Sequence, residues 1–277
     1  MQRAPETSTI PPMAVAAERR KRPERRSPDL RPQPLRTLII IPARNEAENI
    51  PDLLDDLLQR HAAQDVLLVD DGSSDGSGDL ARARGCKVLR HHFNLGYGAS
   101  LLSGYHYALI HDYEAVVQMD ADGQHPPRCL PELLAPLQTG RADHVLGSRF
   151  LEGHAEGTTF MRKLASRILT GLARLWSGRR FSDPTSGFQA MRREVVESLC
   201  NDGFPEDFPD LDVLMDLHRR GFRLIEVSTP MRDREHGQSM HGGLHVLYYF
   251  YRLGMNLMLL PVRRPSLYRK ERQKAGT

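Results

Sequence analysis

Between Thr37 and about Pro230, short aliphatic or β-branched runs recur at intervals: "TLIIIP", "DVLLVDD", "KVLRH", "AVVQMD", "DHVLGS" and "FRLIEVS". Stretches with helical character lie between them, among them "AENIPDLLDDLLQRH", "SDGSGDLARARG" and "GYGASLLSGYHYALIHD". Strand, helix, strand at this spacing requires crossover connections, which are right-handed and place helices over both faces of a mostly parallel sheet. The expected fold is therefore α/β, a Rossmann-like sheet with helices on both sides. Ligands of open sheets bind beyond the carboxyl ends of the strands. The polar clusters "PARNE", "DDGSSDGS" and "DADGQH" follow the first, second and fourth strand runs, so all three fall on one rim.

The most informative cluster is "VVQMDADGQHPP", an apolar run that stops at Asp120 and Asp122. Two carboxylates one residue apart repel each other unless a cation sits between them. Gln124 adds a third oxygen at the next alternate position. Oxygen ligands suit Mg2+ or Mn2+, hard ions that keep some waters and bridge to phosphate oxygens. A turn that accepts backbone hydrogen bonds and caps the next helix would explain the same aspartates. In "LLVDDGSSDGS", Asp70 and Asp71 end a strand before a Gly/Ser turn, where a carboxylate can accept from a base N–H or a ribose hydroxyl. Ser74 or Asp75 is the expected helix cap there. Pro42 to Glu46 make a third turn, with Glu46 as another carboxylate on the rim.

Composition separates three regions. The net charge is only +3, so its distribution matters more than its total. Residues 1–36 are rich in Pro and Arg with few large apolar side chains, which predicts a disordered basic arm. Residues 37–241 hold the alternating strand and helix pattern and form the main domain, and 242–277 read as an amphipathic helix with a basic tail. Leu244, Leu247, Tyr248, Tyr251, Met255, Met258 and Leu259 share one face of that helix. It either caps the core or lies in a membrane interface. No run is long and uncharged enough for a membrane span. Cys86, Cys129 and Cys200 stand far apart without a CxxC pair, as expected of reduced thiols in a cytosolic protein.

Seven segments in order, "IIIPARNE", "LLVDDGSSDGS", "NLGYGASLLSGYHYA", "VVQMDADGQHPP", "LGSRF", "SDPTSGFQAM" and "RDREHGQSM", resemble family-2 glycosyltransferases of the GT-A fold. Within that family the chain is most similar to dolichyl- or polyprenyl-phosphate sugar transferases, over about Thr37 to Gly243. The resemblance implies a GDP- or UDP-linked sugar donor, Mg2+ or Mn2+, and inversion at the anomeric carbon. Carried over residue by residue, it assigns Asp120, Asp122 and Gln124 to the metal. Pro42, Ala43, Arg44, Glu46, Val69, Asp71, Met119 and Ala121 would line the nucleotide sugar beside those aspartates. Arg149 and Arg234 would hold phosphates, in keeping with the bidentate fit of guanidinium to phosphate oxygens. The chain departs from the dolichyl-phosphate members at Ala43-Arg44, where they commonly have Thr-Tyr, and at Met240, where they have Lys. His241, Arg232 or Arg162 are candidates to replace that cation.

The implied acceptor is a polyprenyl or other lipid phosphate at the membrane surface, with room for an integral-membrane partner. The implied location is cytoplasmic, peripheral on the inner face of the cell membrane. An anionic phosphate acceptor needs no strong base, whereas a sugar hydroxyl does. Alongside Asp122, Asp207 and Asp210 in "FPEDFPDLDVLM" are the catalytic candidates, though Asp210 would also cap the following helix. A non-catalytic subunit that binds a nucleotide sugar or a membrane partner is the alternative of another class. No GxGxxG turn follows the first strand and no GxxxxGK[ST] occurs, which argues against a dehydrogenase and a P-loop NTPase. A nucleotidyltransferase would need a basic glycine-rich loop where "PARNE" stands. The basic arm has no interleaved aromatics, so nucleic acid is not an expected partner.

Overall fold

The computed structural model describes residues 34–61, 65–151, 181–201 and 211–230. The first 33 residues, the helix expected over 242–277, and Asp207, Asp210 and Arg234 lie outside them, as do Arg162, Arg232, Met240 and His241. Among the described residues seven strands form one sheet: β1 (Thr37–Ala43), β2 (Asp65–Asp71), β3 (Lys87–His91), β4 (Ala115–Gln118), β5 (His144–Ser148), β6 (Gln189–Arg192) and β7 (Leu224–Ser228). Their order is β3-β2-β1-β4-β6-β5-β7. Only β6 runs antiparallel to its neighbours β4 and β5. The mostly parallel α/β sheet expected from the alternating pattern is thus present, and β6 is an addition to it.

The strand runs are apolar throughout because both faces are covered. Leu38 and Ile40 of β1 join one core, together with Leu67 and Val69 of β2. Ile39 and Ile41 join the other, together with Val66 and Leu68. Adjacent strand residues point to opposite faces, so every position meets a helix layer. The first core is closed by α3 (Tyr97–Ile110), α5 (Arg193–Asn201) and α6 (Leu211–Arg219). The second is closed by α1 (Ile50–Arg60), α2 (Ser77–Ala83) and α4 (Leu130–Gln138). In α1 the buried side chains Ile50, Leu53, Leu54 and Leu57 follow helical spacing, and Pro51 opens its first turn. Helix α3 lies close over β1 because Gly104 faces Ile40, where a Cβ would come within 2.6 Å of Cγ2.

Two details differ from expectation. The cap of α2 is Gly76 rather than Ser74 or Asp75. Asp75 still serves the helix start, since its Oδ1 accepts the Ser77 N–H at 3.0 Å. At the start of the domain, Arg36 is already anchored: its guanidinium lies 4.4 Å from the Tyr113 ring centre and donates to the His111 carbonyl at 2.7 Å.

The register places the strand ends. Ala43 pairs with Asp70 and Ile40 with Gln118, so the carboxyl ends of β1, β2 and β4 share one edge. On the sheet's other half, His144 of β5 is buried, with Nε2 2.9 Å from Gln189 Oε1 and no partner for Nδ1. The Gln189 amide nitrogen donates to the Ser186 carbonyl, so Oε1 accepts and His144 Nε2 carries the proton. Burial pushes the His144 pKa down to about 4, against a smaller opposing effect of Gln189. The unfolded chain, with His near 6.5, therefore takes up a proton before the folded one does. That contribution to stability is complete above about pH 6.5 and is lost as pH falls toward the folded value. From pH 7 to 5 it amounts to about 2 kcal/mol. In urea denaturation at the two pH values, His144→Gln is expected to lose less stability than the wild type by about that amount; equal losses would contradict the assignment.

Candidate active site

Strand β4 delivers its two carboxylates through a tight turn. Met119 N–H still bonds to Ile40 O at 3.1 Å, which keeps the chain on β1 up to the aspartate. The turn then closes on itself: Asp120 N–H donates to His125 Nδ1 at 3.0 Å, and Gln124 N–H to Asp122 Oδ1 at 3.1 Å. Because Nδ1 accepts, the proton of a neutral His125 is on Nε2, 3.7 Å from Asp120 Oδ2 and too far for a hydrogen bond. The buried His125 ring stacks on Phe188 with centroids 5.1 Å apart. Both aspartates remain partly exposed.

Three segments meet at Asp120. From α3, the Tyr97 hydroxyl donates to Oδ1 at 2.8 Å. Burial, and then the Asp120 charge, push the Tyr97 phenol well above its ordinary pKa, so it remains a donor. From the segment before β6, Gly187 comes so near that a Cβ there would lie 2.5 Å from Oδ2. From its own turn comes His125.

Asp71 is buried at the end of β2 and accepts from three groups. His91 Nδ1 and Leu95 N–H reach Oδ1, both at 2.8 Å, and Gly96 N–H reaches Oδ2 at 2.9 Å. It fixes the loop after β3. Consecutive residues Gly96 and Tyr97 thus bind Asp71 and Asp120, bringing the rim clusters after β2 and β4 together. The cluster after β1 joins them through Asp75, whose Oδ2 accepts the Ala47 N–H at 2.9 Å, and Ser77, whose Oγ accepts the Glu46 N–H at 2.9 Å. Glu46 itself accepts from Asn49 Nδ2 at 2.6 Å. Pro42, Ala43, Val69, Met119 and Ala121 are buried beneath this rim, and Arg44 is exposed on it.

Arg149 follows β5 and forks onto Asp183, Nε to Oδ2 at 2.7 Å and Nη2 to Oδ1 at 2.8 Å. Its side chain is 16% exposed and that of Asp183 is wholly buried. Burial opposes the charge of Arg149. The bonds and field of Asp183, with smaller contributions from Asp120 and Asp122, outweigh that and raise its pKa. Asp183 is positioned in turn by β7: Glu226 Oε1 accepts its N–H at 3.1 Å and the Ser182 N–H at 2.8 Å. Arg149 is therefore first a clamp on the segment that carries Gly187, and its field reaches the two aspartates.

The chain's own donor set suits a hard divalent ion. Asp120 and Asp122 offer carboxylate oxygens at one partly exposed rim, and Gln124 lies within the same turn. Among the described residues no group of three or more His, Cys, Asp or Glu gathers as a metal cage. Two carboxylates leave most of an octahedral shell to water and substrate, which is how Mg2+-type ions are held beside phosphates.

Sequence reasoning assigned no role to Tyr97, Gln118, His125, Asp183, Gly187 or Glu226. Gln118 carried a legible signal, since a polar residue inside a buried strand must find partners.

A family model described as Glycosyl transferase family 2 matches residues 38–200. An undecaprenyl-phosphate mannosyltransferase of Micrococcus luteus is 35% identical over 76% of this chain and 89% of its own length. A polyprenol monophosphomannose synthase of Mycolicibacterium smegmatis is 34% identical over 76% and 83%. Among solved structures, a glucosyl-3-phosphoglycerate synthase of Mycobacterium tuberculosis with Mn2+, UDP and phosphoglyceric acid has a TM-score of 0.61. It is 21% identical and covers 84% of this chain and 80% of that one. A Pyrobaculum calidifontis mannosyltransferase with GDP-Man and Mn2+ has a TM-score of 0.54 and 20% identity, covering 78% of this chain and 63% of its own. These likenesses establish the GT-A fold.

Removing one member of a buried ion pair costs about 3–5 kcal/mol because the other charge is stranded. Arg149→Met is expected to lower the stability measured in urea by an amount of that order. Unchanged stability would mean that Arg149 does not hold Asp183.

Proposed function

The chain belongs to glycosyl transferase family 2, and on that premise we propose that it moves a sugar from a nucleotide-activated donor to a polyprenyl phosphate. The reading is carried by the convergence of Asp120 and Asp122 with the "PARNE" and "DDGSSDGS" turns on one rim of the sheet. The lipid-phosphate acceptor is supported by the named activities of the two bacterial relatives. It is further supported by three of the four large apolar side chains left in water among the described residues, the fourth being Ile110 at the far end of α3. Phe93 and Leu95, 68% and 47% exposed, sit on the loop that Asp71 fixes, and Leu151, 47% exposed, follows β5 on the same rim. Scattered exposed side chains are ordinary, but apolar residues beside a charged site suit an acceptor with both a phosphate and a hydrocarbon chain.

In this reading Asp120 and Asp122, with Gln124, hold Mg2+ or Mn2+, and the bound ion supplies Lewis-acid stabilisation of charge on the diphosphate leaving group. The chain's own groups do the rest. The turns at Pro42–Glu46 and Val69–Asp71 receive the nucleoside, GDP- or UDP-linked, with Met119 and Ala121 beneath it. Arg149 and Arg234 add positive charge toward the phosphates. The acceptor phosphate is already anionic at neutral pH, so its oxygen attacks the anomeric carbon as the carbon–oxygen bond to the diphosphate breaks. No proton has to be removed, and Asp207 and Asp210 are then not required as bases. Inversion follows from a single in-line displacement. The catalytic unit is residues 37–241, flanked by the basic arm at 1–36 and an interfacial segment at 242–277. Among the described residues no helix is long and apolar enough to cross a membrane. The lipid acceptor itself supports a peripheral position on the inner face of the cell membrane.

A panel of GDP- and UDP-sugars is offered with polyprenyl phosphate and Mg2+ or Mn2+, and sugar-linked lipid is measured. One donor is expected to yield product that disappears with excess chelator. Asp120→Ala and Asp122→Ala are each expected to cut kcat/KM by about 100-fold or more with the fold intact. Product in chelator, or full activity in either variant, would remove the ion from the reaction. Transfer only to a sugar hydroxyl would replace the acceptor.

A further inference from the structure

A line of hydrogen bonds, buried at Tyr105 and Gln118 and partly exposed at Tyr97 and Asp120, leads to the acidic pair. Tyr105 of α3 donates its hydroxyl to Gln118 Oε1 at 2.6 Å. Gln118 Nε2 donates to the Tyr97 oxygen at 3.2 Å, and Tyr97 donates to Asp120 Oδ1 at 2.8 Å. Tyr105 and Gln118 are almost wholly shielded from water. The carboxylate at the end fixes the direction of the whole line. A carboxylate oxygen accepts, so the single Tyr97 proton goes to Asp120 Oδ1. The Tyr97 oxygen must then accept, which turns the Gln118 NH2 toward Tyr97 and its carbonyl toward Tyr105. Every donor points at Asp120.

We propose that Tyr97 is a positioning residue for the divalent cation: it holds the Asp120 carboxylate in the orientation that binds the ion, and the Gln118–Tyr105 pair holds Tyr97. The inference rests on the reading of Asp120 as a cation ligand given above. Without this anchor, repulsion from Asp122 would turn Asp120 away whenever the ion is absent. Gly187 leaves the space that the held carboxylate occupies, since any side chain there would meet Oδ2. The arrangement has the form of an outer-shell bond to a metal-ligating carboxylate, whose loss typically weakens metal binding about 10–100-fold.

The test is a Mn2+ titration of the full chain, following free Mn2+ by electron paramagnetic resonance, with wild type, Tyr97→Phe, Tyr105→Phe and Asp120→Ala. Tyr97→Phe keeps the ring and removes only the hydroxyl. Its dissociation constant for Mn2+ is expected to rise about 10–100-fold. Tyr105→Phe, which removes the donor to Gln118 one bond further from Asp120, is expected to move it in the same direction by less. In the transfer reaction the Mn2+ concentration for half-maximal rate should rise far more than kcat falls, a split that a loss of folded protein does not produce. If Tyr97→Phe binds Mn2+ like the wild type while Asp120→Ala does not, the positioning role is overturned and the ligand role stands. If Asp120→Ala also binds like the wild type, both fall.

Discussion

Two carboxylates at the tip of a buried strand repel each other, and the surrounding structure holds Asp120 in place against that repulsion. Asp120 is held from three directions: by Tyr97 at the start of α3, by the His125 ring across its own turn, and by the close backbone of Gly187. Asp122 Oδ1 accepts the Gln124 N–H, which closes the turn that carries both acids.

The other acidic residues around the rim act mainly on the protein itself. Asp71 draws in the loop after β3, Asp75 joins the first two turns, and Asp183 takes the Arg149 fork while Glu226 holds its backbone. Charge-assisted bonds of this sort are stronger than neutral ones and restrict loops that would otherwise be mobile. The binding surface is consequently built from short turns on rigid strand ends. The same turns leave Phe93, Leu95 and Leu151 facing water on that rim. A phosphate-bearing lipid would meet charge and apolar surface together there.

Much of this was legible in the sequence for a simple reason: β1, β2 and β4 are buried on both faces, so their runs are apolar and end sharply at polar turns. Strand β6 was not legible. It is four residues long, "QAMR", and its position comes from pairing with β4 and β5 rather than from any pattern of its own. The placement of Asp120 and Asp122 on the ligand-binding rim could likewise be read from one strand and its turn. The partners of Arg149 and Asp71 could not, because they lie 34 and 20 to 25 residues away along the chain. The family resemblance suggested a phosphate ligand for Arg149, and local sequence a nucleoside ligand for the Asp70–Asp71 turn. The structure shows in addition what each holds before any substrate arrives. Tyr97 was hidden differently: an aromatic residue in a glycine-rich turn gives no sign of which carboxylate its hydroxyl will meet.

The central claim is that Asp120 and Asp122 together bind a divalent ion at the carboxyl edge of the sheet. Anomalous diffraction at the manganese edge, from crystals grown with Mn2+ and a nucleoside diphosphate, addresses it directly. A manganese peak within bonding distance of both carboxylates, with diphosphate oxygens completing the shell, is the expected result. A nucleotide bound on this rim with manganese elsewhere, or absent from these two side chains, would contradict it.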